Sequence, residues 1–86
     1  LSWSVRFSKK AQKQFKKLSP NDQKQVKSGI HRFTEDETFG DVKKIKTSNP
    51  TIWRLRLGDW RVFFDKDKEK LRINVTEIRR RTSKTY

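Results

Sequence analysis

Arg54, Arg56 and Arg61 lie close together in a stretch of alternating character, Trp53-Arg-Leu-Arg-Leu-Gly-Asp-Trp-Arg-Val-Phe-Phe64. A guanidinium stays charged at any pH a cell meets, and it forks onto phosphate with parallel N–H donors. Residues two apart on a strand share a face, so this string can present several cations to one polyanion. Arg79, Arg80 and Arg81 run together further on, and Tyr86 is the one phenol in the chain. Cations nearby would draw a phenol's pKa down from about 10 toward the range useful for moving protons. Together these residue types suit chemistry at a phosphodiester.

Other chemistries lack their residues. The chain of 86 residues has no cysteine, which removes a disulfide scaffold, a thiol nucleophile and a Cys-ligated zinc site. One His and scattered acids do not suggest a metal cage, so neither metal nor other cofactor is expected. The 23 Lys and Arg against 10 Asp and Glu leave a net charge of +13, a balance that points to a polyanionic partner. No apolar run approaches the roughly 20 residues of a membrane span, and no signal-peptide pattern opens the chain. The chain starts at Leu1, where an initiator or a short leader could precede it. A soluble, cytoplasmic protein with no membrane partner is the expectation.

Only 30% of residues are hydrophobic, yet three Trp and six Phe can each bury about 150–250 Å². One thin aromatic core is expected, in a single domain spanning 1–86 without repeat or linker. Trp3, Val5 and Phe7 alternate as a half-buried strand. Ser8 then offers an N-cap oxygen, with Ala11, Phe15 and Leu18 at helical spacing. Ser19-Pro20-Asn21-Asp22 restarts a helix whose apolar stripe is Val26, Ile30 and Phe33. That helix should stop near Phe33 or Thr34, because Glu35, Asp36 and Glu37 disfavour the negative end of its dipole.

From Thr38 to Pro50 no clear period remains, and the segment reads as a basic connection with a short strand around Val42 to Ile45. Three strands follow, about Ile52 to Leu57, Trp60 to Asp65 and Leu71 to Ile78. Gly58-Asp59 is a two-residue hairpin turn of the Gly-X type, and Lys66 to Lys70 is a polar loop. The fold class is α+β: an N-terminal strand, a two-helix hairpin, then a three- to four-stranded antiparallel sheet with helices on one face.

The tight turn dictates register. Leu57 pairs with Trp60, Arg56 with Arg61, Leu55 with Val62 and Arg54 with Phe63, and opposed residues share a face. Trp53, Leu55, Leu57, Trp60, Val62 and Phe64 then form the core side, and Ile52, Arg54, Arg56, Arg61, Phe63 and Asp65 the other. Two guanidinium groups ~6 Å apart repel by about 0.7 kcal/mol in water and about 3 kcal/mol at partial burial. Sheets normally avoid like charges directly opposite each other. A polyanion laid across this face turns that repulsion into attraction. Residue choice agrees: seven of nine Arg lie after position 50, whereas ten of fourteen Lys lie before it. The plainer alternative is a solvated outer face that happens to be rich in Arg.

The string from Trp53 to Phe64 resembles the central signature of the RelE/ParE toxin superfamily, aromatic-basic-apolar-basic followed by Gly-Asp-aromatic-Arg-Val. Phe7-Ser-Lys-Lys-Ala11 looks like that family's strand-to-helix start, and Ile78-Arg-Arg-Arg81 with Tyr86 looks like its C-terminal basic motif. The resemblance implies a RelE-like fold and a type II toxin of a toxin–antitoxin pair. RelE-like members cut mRNA in the ribosomal A site, whereas ParE-like members poison DNA gyrase. By the same resemblance the catalytic positions fall on Arg54, Arg56, Arg61, Arg80 and Tyr86, with Arg79 or Arg81 replacing Arg80 if the tail register slips by one. The best-known members have Lys at the first two of these positions, so Arg54 and Arg56 depart from the pattern.

What the resemblance implies is a metal-independent endoribonuclease, an mRNA interferase in which the 2′-OH attacks the adjacent phosphate. Arg61 and Arg80 suit charge stabilisation there. Arg54 and Arg56 cannot serve as bases, so Tyr86 or the ribosome's own groups would move the protons. The expected partners are mRNA on the ribosome with its ribosomal RNA, and a cognate acidic antitoxin; the toxin alone is expected to be a monomer. Lys43, Lys44 and Lys46 read either as an RNA contact strip or as a solvated loop, and Arg79, Arg81 and Lys84 would extend RNA contact. His31 reads as structural or surface, Trp53 and Trp60 as core. Phe63 could stack on a base or lie beneath the C-terminal tail. Two other functions compete: a ParE-like gyrase binder without nuclease activity, and a non-catalytic RNA-binding module.

Overall fold

Seven elements follow one another in the computed structural model, which describes residues 3–47 and 50–81, with Lys46 described by its backbone alone. They are β1 (Ser4–Phe7), α1 (Lys9–Lys16), α2 (Pro20–Glu35), β2 (Asp41–Lys46), β3 (Ile52–Leu57), β4 (Trp60–Asp67) and β5 (Arg72–Arg80). Both helices start where a serine caps them: Ser8 Oγ accepts from the Ala11 N–H, and Ser19 Oγ accepts from the Asp22 N–H. Gln23 ties the corner between them, its side-chain amide donating to the Phe15 and Leu18 carbonyls at 3.2 Å each.

α2 runs to Glu35, beyond the stop expected at Phe33 or Thr34. Phe33 and Thr34 are buried, so packing carries the helix one to two residues past the point where charge disfavours it. His31 and Arg32 bring basic character to that last turn. Asp36 leaves the helix and accepts from the Thr38 N–H and hydroxyl, which holds its carboxyl below the usual range, Thr38 first and Arg32 adding to it.

The sheet has five strands in the order β1-β5-β4-β3-β2. β2 to β5 form the antiparallel meander, but β1 pairs parallel to β5, making the sheet mixed where an antiparallel one of three or four strands was expected. A parallel neighbour needs a long crossover, and the helical hairpin between β1 and the meander supplies it. Beyond Phe7 the free edge of β5 is met by side chains. Ser8 Oγ donates to the Thr76 carbonyl at 3.0 Å, and Gln14 Oε1 accepts from the Ile78 N–H at 2.7 Å.

β4 extends to Asp67, so the second hairpin turns later than expected, with Leu71 at φ 49 rather than opening a strand. Ile73, Val75 and Ile78 are all buried although their spacing is two and then three. A β-bulge reconciles this: Phe63 pairs with Glu77 and Phe64 with Val75, leaving Thr76 as the extra residue. Its hydroxyl donates to the Phe63 carbonyl at 3.3 Å. Past the bulge, every side chain of β5 changes face relative to strict alternation.

Both helices cover one side of the sheet. Val26, Ile30 and Phe33 of α2 meet Leu55, Leu57, Val62, Phe64, Ile73, Val75 and Ile78, and Ala11 brings α1 in. Gly29 is where α2 comes closest to β3, since a Cβ there would sit 2.4 Å from Leu57 Cδ2. Phe33 packs on Phe64 with ring centroids 5.2 Å apart. No helix among the described residues is long and apolar enough to cross a membrane. Phe33→Ala should cost about 3–5 kcal/mol through lost burial and the cavity left behind, seen as a lower urea midpoint at unchanged m-value.

Candidate nucleic-acid interface

The sheet face turned away from the helices is where the hairpin arginines meet. Arg56 pairs directly with Arg61 and Arg54 with Phe63, as the two-residue turn requires. Gly58 supplies the positive φ (59°) at the first turn position. Arg54 is more enclosed than Arg56, its side chain 15% exposed against 40%. Arg54 Nε is buried without a hydrogen-bond partner.

β2 adds a carboxylate. Asp41 pairs with Arg56, and its Oδ2 lies 3.5 Å from Arg54 Nη2 and 3.8 Å from Arg56 Nη1. Partial burial, and then the charges of Arg54, Arg56 and Arg81, push the Arg61 pKa below its ordinary value, while Asp41 pushes it back up. Arg61 stays cationic all the same.

The bulge at Thr76 decides which residues of the basic tail join them. Arg79 pairs with Arg61 and lies on this face, its guanidinium 5.7 Å from the Phe63 ring. Arg79 Nε also donates to Glu77 Oε2. Arg80 pairs with Trp60 and reaches to the helix side, its guanidinium 5.9 Å from the indole. Arg80, expected as the tail arginine of the site, therefore lies off this face, whereas Arg79 lies on it. Tyr86 and Lys84 fall outside the described residues.

The lysines of β2 divide. Lys43 pairs with Arg54 and shares its face, whereas Lys44 pairs with Trp53 and lies 5.2 Å from that ring on the helix side. The Lys46 side chain is outside the described residues. Lys43 and Lys44 thus do not form one strip, since alternation on a strand sends them to opposite faces. Trp53 is also contacted by Lys66 at 4.5 Å, and Lys66 pairs with Glu37 at 3.1 Å, so the indole belongs to a packed cluster. Trp60 is buried in the core. His31 is exposed on α2 and lies 3.5 Å from Glu35. Phe63 is half-buried beneath Arg79, the first of the tail arginines.

Asp41 was missed because its segment reads as a basic connection. Its place is set by pairing across strands: Val42 pairs with Leu55, and that register puts Asp41 beside Arg56. Among the described residues no three of His, Asp and Glu gather as metal ligands would.

Glu77 is a further carboxylate on this face. The Arg79 hydrogen bond first, with help from Lys10 at 3.6 Å, holds its pKa below the ordinary 4.5. A depressed pKa means stability that is present above about 4.5 and is lost as pH falls through the lower folded value. The stability gap between the wild type and Glu77→Gln should therefore be full at neutral pH and close on acidification, as urea melts at pH 7, 5 and 3 would measure.

Comparison with known proteins adds three findings. A family model described as the ParE toxin of the type II toxin–antitoxin system parDE matches residues 5–84. No curated protein matches the chain. Among solved structures, the archaeal RelE–RelB complex of Pyrococcus horikoshii aligns with TM-score 0.80 at 18% identity, covering 98% of this chain and 100% of that one. The RelBE toxin–antitoxin complex of Mycobacterium tuberculosis aligns with TM-score 0.81 at 18% identity, covering 94% and 93%. The isolated RelE toxin of E. coli aligns with TM-score 0.68 at 19% identity, covering 96% and 88%.

Proposed function

This chain belongs to the ParE toxin family of type II toxin–antitoxin systems, within the RelE/ParE superfamily, and from that premise we propose that it cleaves mRNA on the ribosome. The observation that carries the proposal is the convergence of Arg54, Arg56 and Arg61 on one open sheet face. A protein that only docks on a partner has no need to hold guanidinium groups against their own repulsion.

In the proposed reaction the 2′-oxygen attacks the neighbouring phosphorus, and the bond from phosphorus to the 5′-oxygen breaks. A 2′,3′-cyclic phosphate and a free 5′-hydroxyl result. One proton leaves the 2′-OH and one reaches the departing oxygen. Arg61 and its neighbour Arg81 stabilise charge on the phosphoryl oxygens, while Arg54 and Arg56 hold the chain in line. None of these can act as a base, so the proton transfers fall to Tyr86 or to groups of the ribosome. The protein alone is then a weak nuclease. A cognate antitoxin, as in the RelE–RelB complexes of similar fold, silences it.

One observation favours a second function. The matching family model is the ParE one, which would make gyrase the target. Expression followed by primer-extension mapping separates the two: in-frame cuts spaced by three nucleotides support the nuclease, and DNA breaks with intact transcripts support gyrase poisoning. Arg61→Ala should lower ribosome-dependent cleavage at least about a hundredfold and abolish growth arrest, with a native far-UV CD spectrum. Retained toxicity in that variant would contradict the assignment.

A further inference from the structure

Asp41 is the one carboxylate within ion-pair distance of Arg54 and Arg56 among the described residues. A single oxygen, Oδ2, faces both guanidinium groups, at 3.5 and 3.8 Å. An oxygen shared between two arginines is what a bound phosphate would offer. The distances exceed the roughly 2.7–2.9 Å of a tight charge-assisted hydrogen bond, so this contact is coulombic and loose. The Asp41 side chain is 48% exposed at the start of an edge strand. Arg54, by contrast, is enclosed and still has an Nε without an acceptor. The pair is thus asymmetric, an anchored cation with unused donor capacity and an anion free to swing out.

We propose that Asp41 is a resident counter-ion, whose carboxylate stands in the free protein where an RNA phosphate oxygen lies in the complex and is displaced when RNA binds. This deepens the polyanion-binding role of the face given above and rests on it. Asp41 offsets the repulsion among Arg54, Arg56 and Arg61 in the free chain. It also lowers the affinity of the face for any anion that cannot dislodge it. The protein's own carboxylate thereby sets a threshold that an isolated phosphate does not pass and a run of phosphates does.

The test compares wild type with Asp41→Asn, Asp41→Glu and Glu69→Gln, using fluorescence anisotropy of a labelled single-stranded oligouridine over a salt series. Glu69 is exposed in the β4–β5 turn and controls for net charge alone. Asp41→Asn should bind at least about fourfold tighter, the effect of removing one anion ~5 Å from a phosphate even in water. Its salt dependence should steepen by about 0.7 in log–log slope, one more phosphate being neutralised. Asp41→Glu and Glu69→Gln should both stay within about twofold of wild type, on the same electrostatic scale. Equal or weaker binding by Asp41→Asn, or an equal gain in Glu69→Gln, overturns the proposal. Loss of the native far-UV CD spectrum in Asp41→Asn overturns it too, since the carboxylate would then be a requirement of folding. Binding of free RNA is read without cleavage, so a wild type that binds but never cuts sinks the nuclease and leaves this proposal standing.

Discussion

Apolar burial on one side of the β3–β4 hairpin forces like charges together on the other. Gly58 and Asp59 make a turn with no slack, and alternation then gives each residue one of two faces. A slip of β3 by one residue would separate Arg56 from Arg61, but it would also turn Leu55 and Leu57 out toward water. Each of those side chains contributes about 1.5–3 kcal/mol through burial, whereas the arginine repulsion costs about 0.7–3 kcal/mol. The core therefore wins, and the repulsion is a fixed property of the fold. Gln25 on α2 reinforces the register by donating to the Leu57 carbonyl at 3.4 Å.

The surrounding strands manage that charge without cancelling it. Asp41 enters from β2 beside Arg54 and Arg56, and Glu77 enters from β5 beside Arg79. Among the described residues one carboxylate, Asp41, pairs with Arg54 and Arg56, so their cluster with Arg61 stays positive. Arg54, largely enclosed, keeps an unsatisfied nitrogen, and burying such a donor unpaired is costly. A fold optimised for stability alone would place an acceptor there.

How much of this could be read beforehand follows from the range of the forces involved. The β3–β4 register was legible because a two-residue turn leaves no freedom between sequence and pairing. The helix starts were legible through Ser8 and Ser19, whose capping is local chemistry. The parallel seat of β1 was not, since it depends on contacts with Arg72 to Val75 at the other end of the chain. Nor was the bulge at Thr76, although the buried trio Ile73, Val75 and Ile78 carries its trace in an odd spacing. That one residue puts Arg79, and not Arg80, on the face of Arg61. β2 hid Asp41 for a similar reason: its two apolar residues, Val42 and Ile45, are three apart and do not alternate, so its pairing was decided by β3 more than by its own pattern.

Under the proposed function, guanidinium groups of β3 and β4 grip the ribose-phosphate backbone together. The arginine Nε–Hε resonances of the protein, followed by NMR during titration with single-stranded RNA, report that contact residue by residue. Arg54, Arg56 and Arg61 should shift in concert and saturate together, with Arg6 and Arg32 unmoved. Shifts confined to the helix side, or an unperturbed Arg54–Arg56–Arg61 set at saturating RNA, would contradict it.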